Sequence, residues 1–293
     1  MRASRQSLAP TLALVGVTAI WGSTFVVVKD AVEKMPVTDF LTWRFGMATL
    51  AMLLLRPRSV ARLGTTGRRN GAAVGLALGT GYLLQTLGLQ HTSAAVSGFI
   101  TGMFVVLTPV TAAVLLRKPP GAKAWVGVAL ATVGLGLLSL HGFSVGSGEL
   151  LTLGCALAFA LHIVGLGEWS SLHDAYGLAV VQLLTTALLC AVVAVPGGLV
   201  VPPDASVWGA LALTALAATA LAFVVQTWAQ AHLAPTRAAV IMTMEPVFSG
   251  IFAVVLAGEV LGARVLAGAT CVVAAMLLTE LGGDPPVVER LEV

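Results

Sequence analysis

Charge is scarce in this sequence. Acidic and basic residues make up 10% of its 293 positions, 58% are hydrophobic, and the mean hydropathy is +0.97. A soluble domain carries about 25% charged residues, so an ordinary soluble fold is excluded. Cysteine is scarce too. Cys155, Cys190 and Cys271 are odd in number and each lies inside an apolar stretch, which argues against a disulfide framework and leaves packing as their default role. Several chemistry-bearing patterns are missing. No G-x4-G-K-[ST] run is there to cradle nucleotide phosphates, and there is no H-E-x-x-H, no Cys/His cluster at metal spacing and no dinucleotide fingerprint. No cofactor and no metal is expected. Nucleic acid is not expected as a partner either, because the basic residues form a belt between apolar segments rather than a stripe interleaved with aromatics.

What the chain does have is apolar runs of membrane length. About ten of them, each near the roughly 20 residues that cross a bilayer, run over 9–28, 38–55, 71–90, 93–116, 122–140, 148–167, 175–197, 207–231, 235–257 and 262–281. Arg2 and Arg5 precede the first run as they would in a signal peptide, but no small-residue cleavage site follows and the run continues through Val28, so we read a retained span. The connections are short, and the longest carries Arg56, Arg58, Arg62, Arg68 and Arg69. Glycine is plentiful at 32 residues, and Gly75/Gly79 and Gly98/Gly102 have the small-xxx-small spacing of close helix packing.

The second half repeats the first. Gln85-Thr86 and His91 recur as Gln226-Thr227 and His232, a shift of 141 residues, and Gly121-Ala122 with Gly127 recurs as Gly262-Ala263 with Gly268 at the same shift. Two copies of a module with an odd number of spans must sit in the bilayer in opposite orientations, an arrangement typical of secondary transporters. The expected fold is an all-α polytopic membrane protein of ten transmembrane helices in two inverted five-helix repeats, over 9–140 and 148–281. Positive residues set the orientation. With the N-terminus inside, twelve of the 16 basic residues fall on inner segments (Arg2, Arg5, the five loop arginines, Arg117, Lys118, Lys123, Arg237 and Arg290). Lys29, Lys34 and Arg264 fall outside and Arg44 lies within a span, so both termini are expected in the cytoplasm.

Trp21-Gly22-Ser23-Thr24-Phe25 in the first span, Trp43-Arg44-Phe45 in the second, Thr108-Pro109-Val110 in the fourth, and Glu245-Pro246-Val247 with Gly258-Glu259 in the ninth resemble the EamA-type permeases of the drug/metabolite transporter superfamily. The resemblance covers roughly residues 10 to 282. It implies ten helices, an inner-membrane exporter, a central cavity walled mainly by helices 1, 3, 4, 6, 8 and 9, and helices 5 and 10 toward one edge. The first repeat departs from the pattern, with Arg117-Lys118-Pro119 where the second has Gly258-Glu259-Val260.

The candidate site starts with Glu245, directly before Pro246 in the ninth span. A carboxylate at that depth is costly to bury ionised, so it is expected to be neutral, paired or facing water. The proline frees a carbonyl one turn earlier, at Ile241 or Met242. Glu245 is therefore read as a substrate contact and proton carrier, against a structural glutamate tied to a neighbouring helix. Gln85 and Gln226 form a symmetric pair deep enough for their amides to need partners, in substrate or in adjacent helices. His162 is a further candidate, whereas His91 and His232 lie near span ends. Trp21, Tyr82, Phe99, Phe104, Phe159 and Trp228 lie on the helices the resemblance assigns to the cavity, where they would form an apolar binding surface or simply pack. Ser23 and Thr24 beside Gly22 give the first span a flexible, hydroxyl-bearing point near mid-membrane. Arg44, with Gln182 at the matching place in the seventh span, is read as structural, snorkelling or paired near the outer interface, against a gating or anion-binding role. Glu259 is read as a solvated helix-end carboxylate, against a pairing with Arg264.

The expected function is secondary transport: export of small metabolites (amino acids or similar) or drug-like compounds across the inner membrane by alternating access. The rivals are an intramembrane enzyme, which would need clustered ionisable groups at one depth, and a membrane scaffold or assembly protein. The partners expected are a small-molecule substrate and the lipid bilayer, with a monomer and a homodimer both open.

Overall fold

The computed structural model describes residues 8–117, 122–141, 144–233, 241–242 and 244–281. Arg2, Arg5, Lys118, Pro119, Gly121, Arg237, Arg290, both termini and residues 235–240 of the ninth apolar segment lie outside them. The described residues form ten helices: α1 (Leu8–Val32), α2 (Val37–Leu55), α3 (Gly64–Leu89), α4 (Ala94–Leu116), α5 (Ala122–Ser139), α6 (Ser147–Trp169), α7 (Ala175–Ala194), α8 (Ala205–His232), α9 (Met244–Ala257) and α10 (Ala263–Leu281). A helical turn at Ser59–Arg62 precedes α3, and a two-residue antiparallel ladder, Leu140–His141 with Ser144–Val145, joins α5 to α6.

Six described helices are long and apolar enough to cross a bilayer: Leu8–Val32, Gly64–Leu89, Ala94–Leu116, Ser147–Leu172, Ala175–Gly197 and Ala205–His232. Shorter apolar stretches occupy Trp125–Gly134, Met244–Ala257 and Ala263–Ala275. α2 carries Asp39 and Arg44, both buried. The helices are apolar outside as well as inside. Leu54, Val114, Val192 and Val255 are at least 70% exposed, as suits a chain whose outer surface meets lipid instead of water. The protein is a multi-pass membrane protein.

Local chemistry explains the helix starts. The Ser93 hydroxyl accepts from Val96 N at 3.2 Å, Asp174 Oδ2 from Gly177 N at 2.7 Å and Asp204 Oδ1 from Val207 N at 2.9 Å, so α4, α7 and α8 each begin on a side-chain cap. α3 begins seven residues before the expected 71, so Arg68 and Arg69 lie on its first turns rather than in a loop. α4 tightens between Thr101 and Phe104, where Met103 N bonds Ile100 O and Val105 N bonds Gly102 O. α8 holds a π-wound stretch at Leu213–Leu221. π segments are rare and usually short, and nothing in the run LTALAATAL announces one.

The core lies between the halves. α1 packs on α8 and α9, and α6 packs on α3 and α4. α7 lies against α2 and α3, α2 also meets α8, α4 meets α9, and α5 pairs with α10. Glycine sets some of these distances. A Cβ on Gly75 would stand 2.6 Å from the Gln182 carbonyl oxygen, and Thr186 Oγ1 donates to Gly75 O at 2.9 Å, fastening α3 to α7. A Cβ on Gly22 would stand 2.6 Å from Phe248 Cβ, so Gly22 is a contact point for α9 within an unbroken α1 rather than the flexible point expected.

Candidate functional site

A small cavity lies among six helices. α1 supplies Trp21, Thr24 and Phe25; α3 supplies Leu78, Tyr82 and Gln85; α4 supplies Phe104. α6 contributes Phe159, His162 and Ile163, α8 contributes Phe223 and Gln226, and Glu245 comes from α9 with Met242 just before it. These are the six helices the resemblance assigns to the cavity wall.

Eight of the eleven site residues expected from sequence meet there: Trp21, Thr24, Tyr82, Gln85, Phe159, His162, Gln226 and Glu245. Three do not. The Ser23 hydroxyl is half-buried and turned onto its own helix, donating to Ile20 O at 2.7 Å. Phe99 lies on a separate, largely apolar groove between α9 and α10, with its ring against Gly250. Trp228 points away from the cavity, its ring 5.2 Å from that of His232. His232 is exposed and bonds its own helix at Trp228 O, and His91 is exposed as well. Phe25, Leu78, Ile163 and Phe223 are wall residues that sequence reasoning missed. They are apolar residues among many on apolar helices, and only the helix rotation singles them out.

The wall is aromatic and its rings support one another. Tyr82 meets Phe159 at 5.3 Å and Phe223 at 6.2 Å between ring centroids, both edge-on, and Trp21 meets Phe223 at 5.4 Å. The polar groups are held from behind. Trp21 Nε1 donates to Ala218 O, a carbonyl in the π-wound stretch of α8, at 2.8 Å. Thr24 Oγ1 donates to Trp21 O at 2.7 Å, and Gln85 Nε2 to Thr101 Oγ1 at 3.2 Å. His162 Nε2 meets Gln182 Oε1 at 2.7 Å. The Gln226 Oε1 atom is buried without a partner. Glu245 is 6% exposed, and none of the described ion pairs involves it.

Arg44 stands behind this wall. It is 2% exposed, so it does not snorkel to the interface. Its Nε donates to Thr219 Oγ1 at 2.9 Å, its guanidinium lies 4.8 Å from the Tyr82 ring centroid and 5.4 Å from that of Phe45, and one terminal nitrogen has no partner. Such stacking partly offsets the loss of water around a buried cation.

At one end of the bundle, polar ties run between helices. Lys29 Nζ donates to Thr92 O at 2.8 Å, and Thr92 Oγ1 donates to Glu149 Oε1 at 3.0 Å, linking α1, the α3–α4 connection and α6. Glu259 receives the backbone N–H groups of Ala94 at 2.9 Å and Ala95 at 3.2 Å. It therefore caps the N-terminus of α4, where a negative charge is favoured, and is not simply the solvated carboxylate expected. Lys34 Nζ pairs with Asp204 Oδ2 at 3.2 Å and donates to Ser206 Oγ. The Ser206 hydroxyl, the Val207 N–H and Lys34 together hold the Asp204 carboxyl down to about 2.

The chain matches the model of the EamA-like transporter family twice, over residues 9–140 and 146–281. A relative from Archaeoglobus fulgidus, named an uncharacterized transporter, is 34% identical over 271 residues, covering 92% of this chain and 85% of that one. A solved crystal structure shares the fold at a TM-score of 0.68 and 19% identity, over 93% of this chain and 96% of its own. The family and the relative point to a transporter rather than an enzyme. With both halves of its length matched, the chain belongs to the EamA-like transporter family.

Proposed function

We propose that the protein is a secondary transporter that exports small metabolites or drug-like compounds from the cytoplasm by alternating access, with the cavity around Glu245 as its substrate site. The observation that carries this reading is the site's composition: a largely apolar, aromatic-lined cavity where six helices meet, holding one buried carboxyl with no described ion-pair partner. Binding cavities are mostly apolar with a few placed polar groups, and ionisable groups at membrane depth mark substrate or proton paths.

The ten helices are proposed as ten spans in two inverted repeats, 9–140 and 148–281, in the cytoplasmic membrane with both termini inside. The packing supports this. Raising each helix label by five, with α10 followed by α1, turns α1–α8 into α6–α3, α1–α9 into α6–α4 and α3–α7 into α8–α2, while α2–α7, α4–α9 and α5–α10 map onto themselves. The ties at Lys29, Lys34 and Glu259 then lie on the outer side and hold the cavity shut there. Export would proceed as the repeats rock and those ties break. A reporter fused after Val293 should be active only in its cytoplasm-sensing form, and periplasmic activity would refute the orientation or the span count.

Export itself is tested by untargeted metabolomics of medium from cells overproducing the wild type or Glu245→Ala. At least one solute should accumulate outside only with the wild type. Media that match would remove the exporter reading.

A further inference from the structure

The hydrogen bonds behind the wall place one proton of His162 on Nε2. The Thr227 hydroxyl spends its proton on Phe223 O at 2.6 Å, so its oxygen can only accept from Gln182 Nε2, 3.3 Å away. That sets the Gln182 amide with Oε1 toward His162, and the 2.7 Å contact there requires His162 Nε2 to carry the proton and donate it. With that proton on Nε2, the ring in its neutral form keeps its lone pair on Nδ1. His162 lines the cavity, and three residues in series set which of its nitrogens is left to accept.

The rest of the wall has the same bias. Among the described lining residues the one charged side chain is Glu245, and no lysine or arginine lines the cavity. The donors of Trp21 and Thr24 and one N–H of Gln85 are engaged by the protein. What remains is neutral, the second Gln85 N–H and the Gln226 amide, since the Tyr82 hydroxyl is bonded by Arg44. Arg44, the buried cation of this region, is covered by Tyr82, Phe45 and Thr219 and is not part of the wall. A carboxylate entering this space would lose its water, meet no cation among the described lining residues and face Glu245, whereas an ammonium would meet a carboxylate, aromatic faces and a lone pair.

From this we infer that the cavity takes a compact aryl-alkyl amine in its ammonium form and selects against zwitterionic amino acids. The inference rests on the reading of this cavity as the transport site. The ammonium is held by the Glu245 carboxylate and donates one N–H to His162 Nδ1, and the cargo's ring packs among Trp21, Tyr82, Phe159 and Phe223.

The test is calorimetric binding to the purified full-length protein with three probes: phenethylamine, phenylalanine and phenyltrimethylammonium. Counterflow of phenethylamine in proteoliposomes runs alongside. Phenethylamine should bind at least about tenfold more tightly than phenylalanine, since a buried unpaired carboxylate costs more than the 1.4 kcal/mol a tenfold change represents. It should also bind more tightly than the quaternary probe, which has the charge but no N–H. In His162→Phe the primary and quaternary amines should bind equally, and Glu245→Gln should weaken both. The wild-type ranking alone decides the ligand class if a variant fails to fold. Phenylalanine binding as tightly as phenethylamine, or no phenethylamine binding to folded wild type, overturns the inference, and equal wild-type affinity for both amines overturns the role of His162. Phenethylamine binding without counterflow removes the transport reading and leaves the ligand class standing. Flux of phenylalanine without phenethylamine binding does the reverse.

Discussion

Two glutamates lie near opposite ends of α9 and meet opposite surroundings. Glu259 follows the helix, half-buried, and each of its oxygens receives a backbone N–H from the start of α4. Glu245 sits in the first turn, buried in an aromatic cavity with no described ion-pair partner. A carboxylate satisfied by backbone N–H groups stabilises the junction it caps. One left buried and unmatched destabilises the empty protein, and its presence makes sense when cargo or a proton supplies the missing partner. On this account Glu259 belongs to the architecture and Glu245 to the activity, and substitutions at the two should fail in different ways.

The largest effect is expected at Glu245. Glu245→Gln should reduce proton-driven uphill export to background in proteoliposomes while exchange of substrate across the membrane survives. Uphill transport by the wild type that ignores a collapsed proton gradient would exclude coupling through Glu245 and favour a facilitator. Gln226→Leu comes next. It removes a polar wall group whose oxygen has no protein partner, so transport should fall about tenfold, the worth of roughly one hydrogen bond, with membrane abundance unchanged. Loss of transport that merely tracks loss of folded protein would make the residue structural. Glu259→Gln should show the converse, lowering unfolding stability by about 1 kcal/mol, the scale of a charge at a helix terminus, with substrate affinity untouched. Altered affinity at full stability would erase the contrast between the two glutamates. The smallest effect is expected at Ser23→Ala, because that hydroxyl bonds its own helix; transport within twofold of wild type, measured at matched protein amounts, is the expected outcome for a side chain off the wall.

Much of the helical framework was legible because apolar runs of fixed length have few interpretations in a chain with so little charge. Glu245, Gln85 and Gln226 stood out for the same reason, as polar residues where polarity is costly. The remainder depended on pairings between distant segments. The partner of Glu259 lies 165 residues away at Ala94, and that of Trp21 lies 197 residues away at Ala218. Arg44 finds Thr219 at a separation of 175. None of these has a local signature. Phe99 and Trp228 fall outside the cavity lining because a helix's membership of the cavity does not say which of its faces is turned inward.

The central claim is that the Glu245 cavity carries solute across the membrane. Its most direct test uses purified protein in liposomes loaded with a cell-metabolite extract, with the released solutes identified by mass spectrometry. The account predicts that at least one solute leaves through wild-type protein and is retained with equally abundant, folded Glu245→Ala. Release of nothing beyond empty liposomes, or equal release by both proteins, would contradict it.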